Sequence, residues 1–149
     1  GDYRGSLLDC INETATAAGS RLLTHRLNTP LLDIHKIQSR LDQVDFFVRN
    51  PSLGQKIREI LKHCPDIERA LTRLSMGRGG PRDLGALRQS LSQALNLQGL
   101  WPKDHPFIEG VAALEGHCYL KDLLTQALVE DLPLLVREGG FVASGFDAH

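Results

Sequence analysis

The chain has 149 residues, enough for one domain whose core buries roughly two-thirds of the unfolded surface and too few for two full domains. Apolar residues make up 42% and aromatic residues only 5%, so a core must be built mainly from Leu, Ile, Val and Ala. The 17 basic against 18 acidic residues give a net charge of -1; this excludes a chain-wide electrostatic grip on nucleic acid, which needs a clear excess of Lys and Arg, and leaves room only for a local basic patch.

The dominant period is helical. Leu7, Leu8 and Ile11 begin it, a break is expected from Thr14 to Gly19, and Leu22, Leu23 and Leu27 resume the pattern until Pro30. Asp33 is placed to cap the next helix, where Ile34, Ile37, Leu41, Val44 and Val48 follow steps of three and four and fall on one face. Asn50-Pro51 stops that helix and starts another, with Asn50 as cap and Pro51 at the first helical position. Leu53, Ile57, Ile60 and Leu61 form its apolar stripe.

Pro65-Asp66 punctuates again, and Ile67, Ala70, Leu71 and Leu74 follow at helical spacing. Gly77-Arg78-Gly79-Gly80-Pro81 is a break, after which Pro81 opens a helix with the stripe Leu84, Leu87, Leu91 and Leu95. The stretch from Gly99 to Pro106 holds two prolines and the only Trp and reads as a connector. Leu120, Leu123, Leu124, Ala127 and Leu128 make the last helical stripe. The runs Leu134–Glu138 and Phe141–Ser144 flank Gly139-Gly140, which predicts a tight β hairpin, because both turn positions need positive φ. The chain stops at Phe146-Asp147-Ala148-His149 with no terminating signal, as an excised fragment does.

The pattern predicts a mostly α fold, a bundle of about six to eight helices by stripe count, with a short C-terminal hairpin. No internal repeat stands out, which argues against a regular solenoid. No stretch nears the roughly 20 apolar residues of a membrane span, and Gly1-Asp2-Tyr3-Arg4 leads into no signal-peptide run, so the chain reads as intracellular. Cys10, Cys64 and Cys118 are odd in number and far apart, which is no disulfide framework; three separate buried thiols are expected.

Motifs for reactive chemistry are missing. A phosphate-binding loop needs two glycines followed by Lys-Ser/Thr, and Arg78-Gly79-Gly80-Pro81 lacks that pair and runs into a proline without an N–H, so it reads as an interhelical turn. His63-Cys64 and His117-Cys118 are adjacent dipeptides 54 positions apart. Structural zinc sites use short paired spacings, and adjacent side chains diverge on a helix, so zinc is not expected. His25, His35, His105 and His149 have no partner that the sequence names, and no nucleophile elbow supports a catalytic Ser or Cys. The expectation is therefore no catalytic residue, no cofactor-binding residue and no metal ligand.

Three stretches together resemble the MutS family of DNA mismatch-repair proteins, at the opening part of its core (lever) region, domain III. Gly5-Ser6-Leu7-Leu8 with Thr14, then Gly19-Ser20-Arg21-Leu22-Leu23 and Pro30-Leu31, resembles the family's G-S-L-L, T, G-x-R-L-L and P-L. Asp66-Ile67-Glu68-Arg69 with Gly77-Arg78 and Pro81-Arg82-Asp83-Leu84 resembles D-I/L-E-R followed by G-R-x-x-P-R-D-L. Val136-Arg137-Glu138-Gly139-Gly140-Phe141-Val142-Ala143-Ser144-Gly145-Phe146 resembles V-R-D/E-G-G-x-I-x-x-G-F/Y. Their order and spacing span almost the whole chain. Ala17-Ala18 stand where the family often has Pro-Met, and Arg26 where it often has Trp.

The resemblance implies that residues 1–149 are a partial core domain, without the clamp, ATPase and mismatch-binding domains. It implies a lever that joins connector and clamp to the ATPase and transmits the nucleotide state, in a protein that is cytoplasmic and nucleoid-associated. The complete protein would be a DNA-dependent ATPase using ATP and Mg, bind mismatched double-stranded DNA mainly through other domains, pair with a second MutS chain and meet a MutL-type partner, with no membrane. This stretch itself is expected to be no enzyme. The family's Phe-x-Glu mismatch wedge has no counterpart here: Phe46-Phe47 lies within a helical pattern, and at least one ring is expected in the core. Arg21, Arg69 and Arg82 with Asp66, Glu68 and Asp83 could supply ion pairs and caps between helices, and Gly19 and Gly77 the breaks. Two other readings are a generic helical protein-interaction module and an independent weak DNA-binding domain using Arg78, Arg82 and Arg88.

Overall fold

A computed structural model of the chain describes residues 4–102, 105 and 108–146. Among them are eight α-helices: α1 Leu7–Ile11, α2 Ala17–Asn28, α3 Ile34–Arg49, α4 Pro51–Lys62, α5 Ile67–Ser75, α6 Pro81–Gln98, α7 Ile108–Ala112 and α8 Cys118–Ala127. A single 3₁₀ turn, Val136–Glu138, follows. The chain divides into two units, Gly1–Lys62 and His63–His149.

In the first unit, caps set the helix starts. Ser6 Oγ accepts the Asp9 N–H and Thr16 Oγ1 accepts the Gly19 N–H. The predicted break is therefore shorter than its sequence suggests: Gly19 lies inside the first turn of α2, not in a loop. Asn12 donates through Nδ2 to Ser20 Oγ at 3.0 Å, and Arg58 of α4 donates to the Glu13 carbonyl at 2.7 Å, holding the α1–α2 connection. Asp33 caps α3 as expected, accepting from the His35 and Lys36 amides. Asn50 works in two directions: its side-chain amide donates to the Phe46 carbonyl to close α3, and its backbone oxygen accepts the Gly54 N–H of α4. Pro51 opens α4.

The stripe predicted on α3 exists, but it is not covered. Ile34 is 78% exposed, Leu41 55%, Val44 60% and Val48 70%. Among the described residues of this unit only Ile57 is a buried apolar side chain.

The second unit has a closed core. Leu87 and Leu91 of α6 pack with Leu124 of α8 and with Leu128, and Ile67, Leu74, Leu84, Ala127, Leu132 and Phe141 surround them. Each fully buried leucine contributes about 1.5–3 kcal/mol. Helix α7, five residues in the stretch after the connector, has no counterpart among the predicted helices; its Ile-Glu-Gly-Val-Ala sequence is too short to show a helical stripe. Pro106 and the end of the predicted connector lie outside the described residues.

The predicted hairpin does not form. Gly139 and Gly140 do take positive φ, 67° and 68°. The first arm, however, coils into the 3₁₀ turn, because the Glu138 carboxylate captures the Leu135 N–H at 3.1 Å and the Glu138 and Gly139 amides bond back to Leu135 and Val136. The second arm pairs elsewhere. Val142 forms an isolated antiparallel bridge with Leu128, through Val129 N–H to the Phe141 carbonyl at 3.1 Å and Ala143 N–H to the Ala127 carbonyl at 2.8 Å. A two-stranded hairpin is marginal on its own, and the extended segment after α8 is the better-packed partner.

Candidate functional site

The residues of the second motif build the α5–α6 turn. Helix α5 ends in a Schellman arrangement: Arg78 N–H bonds to the Arg73 carbonyl at 2.9 Å and Gly77 N–H to Leu74 at 3.1 Å, with Gly77 at φ +67°. At Gly79 a Cβ would stand 2.9 Å from the Leu74 Cα and closer still to its side chain, so only glycine fits. Gly80 precedes α6, and Pro81, at the first helical position, is fully buried.

Asp83, in the first turn of α6, holds the turn from within. Its Oδ2 accepts the Gly80 N–H at 3.0 Å, and its Oδ1 accepts from Arg73 of α5 through Nε at 2.8 Å and through Nη2. The Asp83 side chain is 12% exposed and that of Arg73 50%. The hydrogen bond from Arg73 holds the Asp83 carboxyl below the ordinary aspartate range against the opposing effect of burial, and the same bond raises the Arg73 guanidinium. Arg73 is absent from the residues that the sequence motifs single out. It stands in the last turn of α5, ten residues before Asp83, a spacing that carries no pairing signal until the geometry of the turn is known.

Helix α6 is also tied to the end of α8. Arg88 donates through Nη1 to the carbonyls of Leu128 and Val129 at 3.1 and 3.2 Å, a cation set at a helix C-terminus. Arg82 reaches the Leu132 carbonyl at 3.4 Å. Leu132 lies on α6 at Gly85, where a Cβ would meet its Cδ1 at 2.4 Å. Between these ties runs a shallow groove of about 720 Å³ whose lining includes Gln89, Ser92, Thr125 and Glu130. Of the three arginines offered for DNA, Arg82 and Arg88 thus serve backbone carbonyls, and Arg78 is exposed in the turn.

The remaining sequence candidates are not brought together. Cys10 and Cys118 are exposed and Cys64 half-buried, which corrects the expectation of three buried thiols; burial pushes the Cys64 thiol up. The His63 carbonyl accepts from Gln89, and His117 sits exposed before α8. Among the described residues, no three His, Cys, Asp or Glu side chains gather as a metal site would need. His105 is buried and stacks on Trp101, ring centroids 4.6 Å apart; His25 meets Thr29 and His35 lies exposed on α3, while His149 lies outside the described residues. Phe46 and Phe47 meet edge to face at 5.5 Å, both half-buried, and Phe47 lies against α4 at Gly54, so neither ring is a protruding wedge. Arg69 pairs with Asp66 at 3.4 Å within α5's first turn and cap. No described helix is long and apolar enough to cross a membrane.

In the second unit α6 is tied to α5 through Asp83 and to the end of α8 through Arg88, and in the first unit α3 carries an apolar face laid bare. A family model described as MutS domain III matches residues 1–144. The chain is 47% identical over 149 residues to the DNA mismatch repair protein MutS of Cereibacter sphaeroides strain ATCC 17025, covering 99% of this chain and 17% of that protein. It is 50% identical over 153 residues to MutS of Rhodopseudomonas palustris strain HaA2, again 99% and 17%. Against MutS of Caulobacter vibrioides it is 44% identical over 158 residues, covering 97% and 18%. The chain thus spans about a sixth of the length of the relatives it matches.

Proposed function

The chain belongs to the MutS domain III family, and on that premise we propose that it is the opening part of the helical core, a lever between the DNA clamp and connector on one side and the ATPase on the other. The complete protein, on this reading, is a DNA-dependent ATPase that needs ATP and Mg, engages mismatched duplex DNA mainly through other domains, and works as a MutS dimer with a MutL-type partner in the cytoplasm. This stretch contributes no catalytic group and no cofactor or metal ligand; it contributes rigid connection.

One observation carries the reading. The apolar positions of α3 repeat as 34, 37, 41, 44 and 48, the alternating three–four step of a coiled-coil seam, and the seam is open to solvent. A helix of 16 residues with such a seam needs another helix laid along it. Such a face suits a core completed by more chain than is present here. The packed α5–α6–α8 body fits the other half of the proposal, since packed helices move as rigid bodies and carry a displacement from one end to the other.

The test is made in the full-length protein. Leu41→Glu and Val44→Glu on the seam are compared with Asp42→Lys, a polar position of the same helix outside the seam. The seam variants should uncouple mismatch binding from nucleotide exchange while leaving nucleotide affinity within about twofold, as a loss of coupling free energy requires. Mismatch-stimulated exchange that survives both seam variants would sink the lever reading.

A further inference from the structure

The first unit carries a concentrated positive charge that the helical scaffold does not explain. A concavity of about 420 Å³ between the end of α2 and the first half of α3 is lined by Arg26, Leu31, His35, Lys36, Ser39, Arg40 and Gln43. Three of these side chains are permanent cations and none is an acid, in a chain whose net charge is -1. The neighbouring charges of α3 are matched. Asp45 and Arg49 pair at 2.8 Å, Asp42 accepts from Gln38 at 2.8 Å, and Asp33 is committed to the α3 cap. Arg26, Lys36 and Arg40 have no ion-pair partner among the described residues.

Lys36 and Arg40 stand four apart on one helix, a spacing at which like charges repel and weaken the helix. Arg26 has a partial local reason, since it lies in the last turn of α2, where a cation suits the helix dipole. The other two have none. Two guanidinium forks and one ammonium line a concavity whose remaining polar groups, His35, Ser39 and Gln43, can donate hydrogen bonds. That is a set of groups matched to tetrahedral phosphoryl oxygens: the forks bind them in bidentate fashion and the ammonium as a point charge.

We infer that the α2–α3 groove binds phosphoryl anions, with Arg26, Lys36 and Arg40 as the binding residues. The ligand chemistry is phosphate oxygen, supplied either by the backbone of duplex nucleic acid passing over α3 or by a free polyphosphate. The inference is independent of the lever reading, because it rests on charge and groove shape in one unit and predicts no preference for mismatches.

The experiment titrates this chain with a fluorescent homoduplex and the matching mismatched duplex at several salt concentrations between about 50 and 200 mM, and separately with inorganic pyrophosphate by calorimetry. The groove variant Arg26→Gln/Lys36→Gln/Arg40→Gln is compared with Arg4→Gln/Arg78→Gln/Arg137→Gln, which removes the same charge from exposed positions elsewhere. Helical circular dichroism checks that both fold. The wild-type chain should bind both duplexes alike, and the groove variant should lower the salt slope by about 2 to 3, near 0.9 for each phosphate it no longer neutralises; the control should keep most of the slope. Loss confined to pyrophosphate binding would support the site and assign it to free polyphosphate, whereas loss confined to duplex would assign it to a nucleic-acid backbone. Equal loss in both variants, or no binding of either probe at the lowest salt, would overturn the inference. Mismatch-selective binding would overturn the inference, which predicts none, and would count against the lever reading as well.

Discussion

Replacing Asp83 should unfasten the α5–α6 turn. The carboxylate does two things at once: it accepts the Gly80 N–H at the start of α6 and receives Arg73 across the turn. Loss of a helix N-terminal acceptor costs about 1 kcal/mol. Loss of a charge-assisted bond at a largely buried acceptor costs roughly a further 1.5 kcal/mol, taken at the low end because the donor is half exposed and recovers hydration. Asp83→Ala should therefore destabilise the second unit by about 2–3 kcal/mol, and Asp83→Asn by less, since an amide oxygen can still accept from Gly80. Arg73→Ala should destabilise less than Asp83→Ala, and the double variant should fall short of the sum of the two single losses. The pH dependence fixes the cause. The folded carboxyl lies below the ordinary value of 3.8, so its contribution is fully present above that pH and is lost as pH falls through the lower folded value. Urea unfolding followed at about 222 nm from about pH 7 down to 3 should show the gap between wild type and Asp83→Asn constant near neutrality and closing below about pH 4. A gap that stays open at the acid end, or additivity of the Arg73 and Asp83 losses, would refute the argument that the ion pair holds the turn.

Gly77→Ala should cost about 1–2 kcal/mol, because an L side chain at φ +67° carries the left-handed penalty; thermal unfolding reads it, and a loss below about 0.5 kcal/mol would mean the turn relaxes freely. Leu124→Ala should cost about 2–5 kcal/mol by opening a cavity in the α6–α8 core, whereas Val44→Ala on the bare α3 face should change the stability of this chain by less than about 0.5 kcal/mol. Denaturant midpoints of the two variants settle the contrast. Cys64 should react with iodoacetamide near neutral pH more slowly than exposed Cys10 and Cys118, and should gain rate as pH rises through its raised value; peptide mapping after timed alkylation gives the order.

The positions of α3, α5 and α6 are legible in the sequence because each is marked twice, by an apolar stripe at helical spacing and by a residue suited to the helix start, whereas the five-residue α7 carries no stripe. Asp33, Asp66 and Pro81 all stand where their residue type predicts. The C-terminal arms mislead for a specific reason. β-prone runs around Gly-Gly satisfy a hairpin pattern, yet a single carboxylate, Glu138, offers the first arm a local acceptor, and the competition between a local turn and a long-range ladder is not written in periodicity. Asp83 stands out in the sequence as a pairing residue and Arg73 does not, because sequence spacing between two helices says nothing about which side chains face each other until the turn geometry is fixed. The Gly77 φ and the tight fit at Gly79 fix it. Burial is the least legible property. The stripe of α3 and the stripe of α6 look alike in the sequence, and one is bare while the other is the core.

That difference bears on how a lever could work. Helix α6 has 18 residues, so it runs for about 27 Å, and it is fastened near its start by Asp83, along its middle by Leu87 and Leu91, and at Arg88 to the end of α8. Tilting α6 against α5 breaks a carboxylate that serves two donors; sliding it along α8 strips both Arg88 hydrogen bonds and drags Leu132 off Gly85. Each motion sacrifices several interactions together, so the stiffest response of this unit is to move whole. The first unit has the opposite character. With Ile57 as its one buried apolar side chain among the described residues, it gains little from its own packing, and the open α3 seam is the largest apolar resource it holds. An element of that kind takes its position from whatever covers it. A stiff body joined in sequence to a segment whose order depends on a covering helix is a combination in which gain or loss of that cover changes what the stiff body is attached to, and this is the physical content of the proposed coupling.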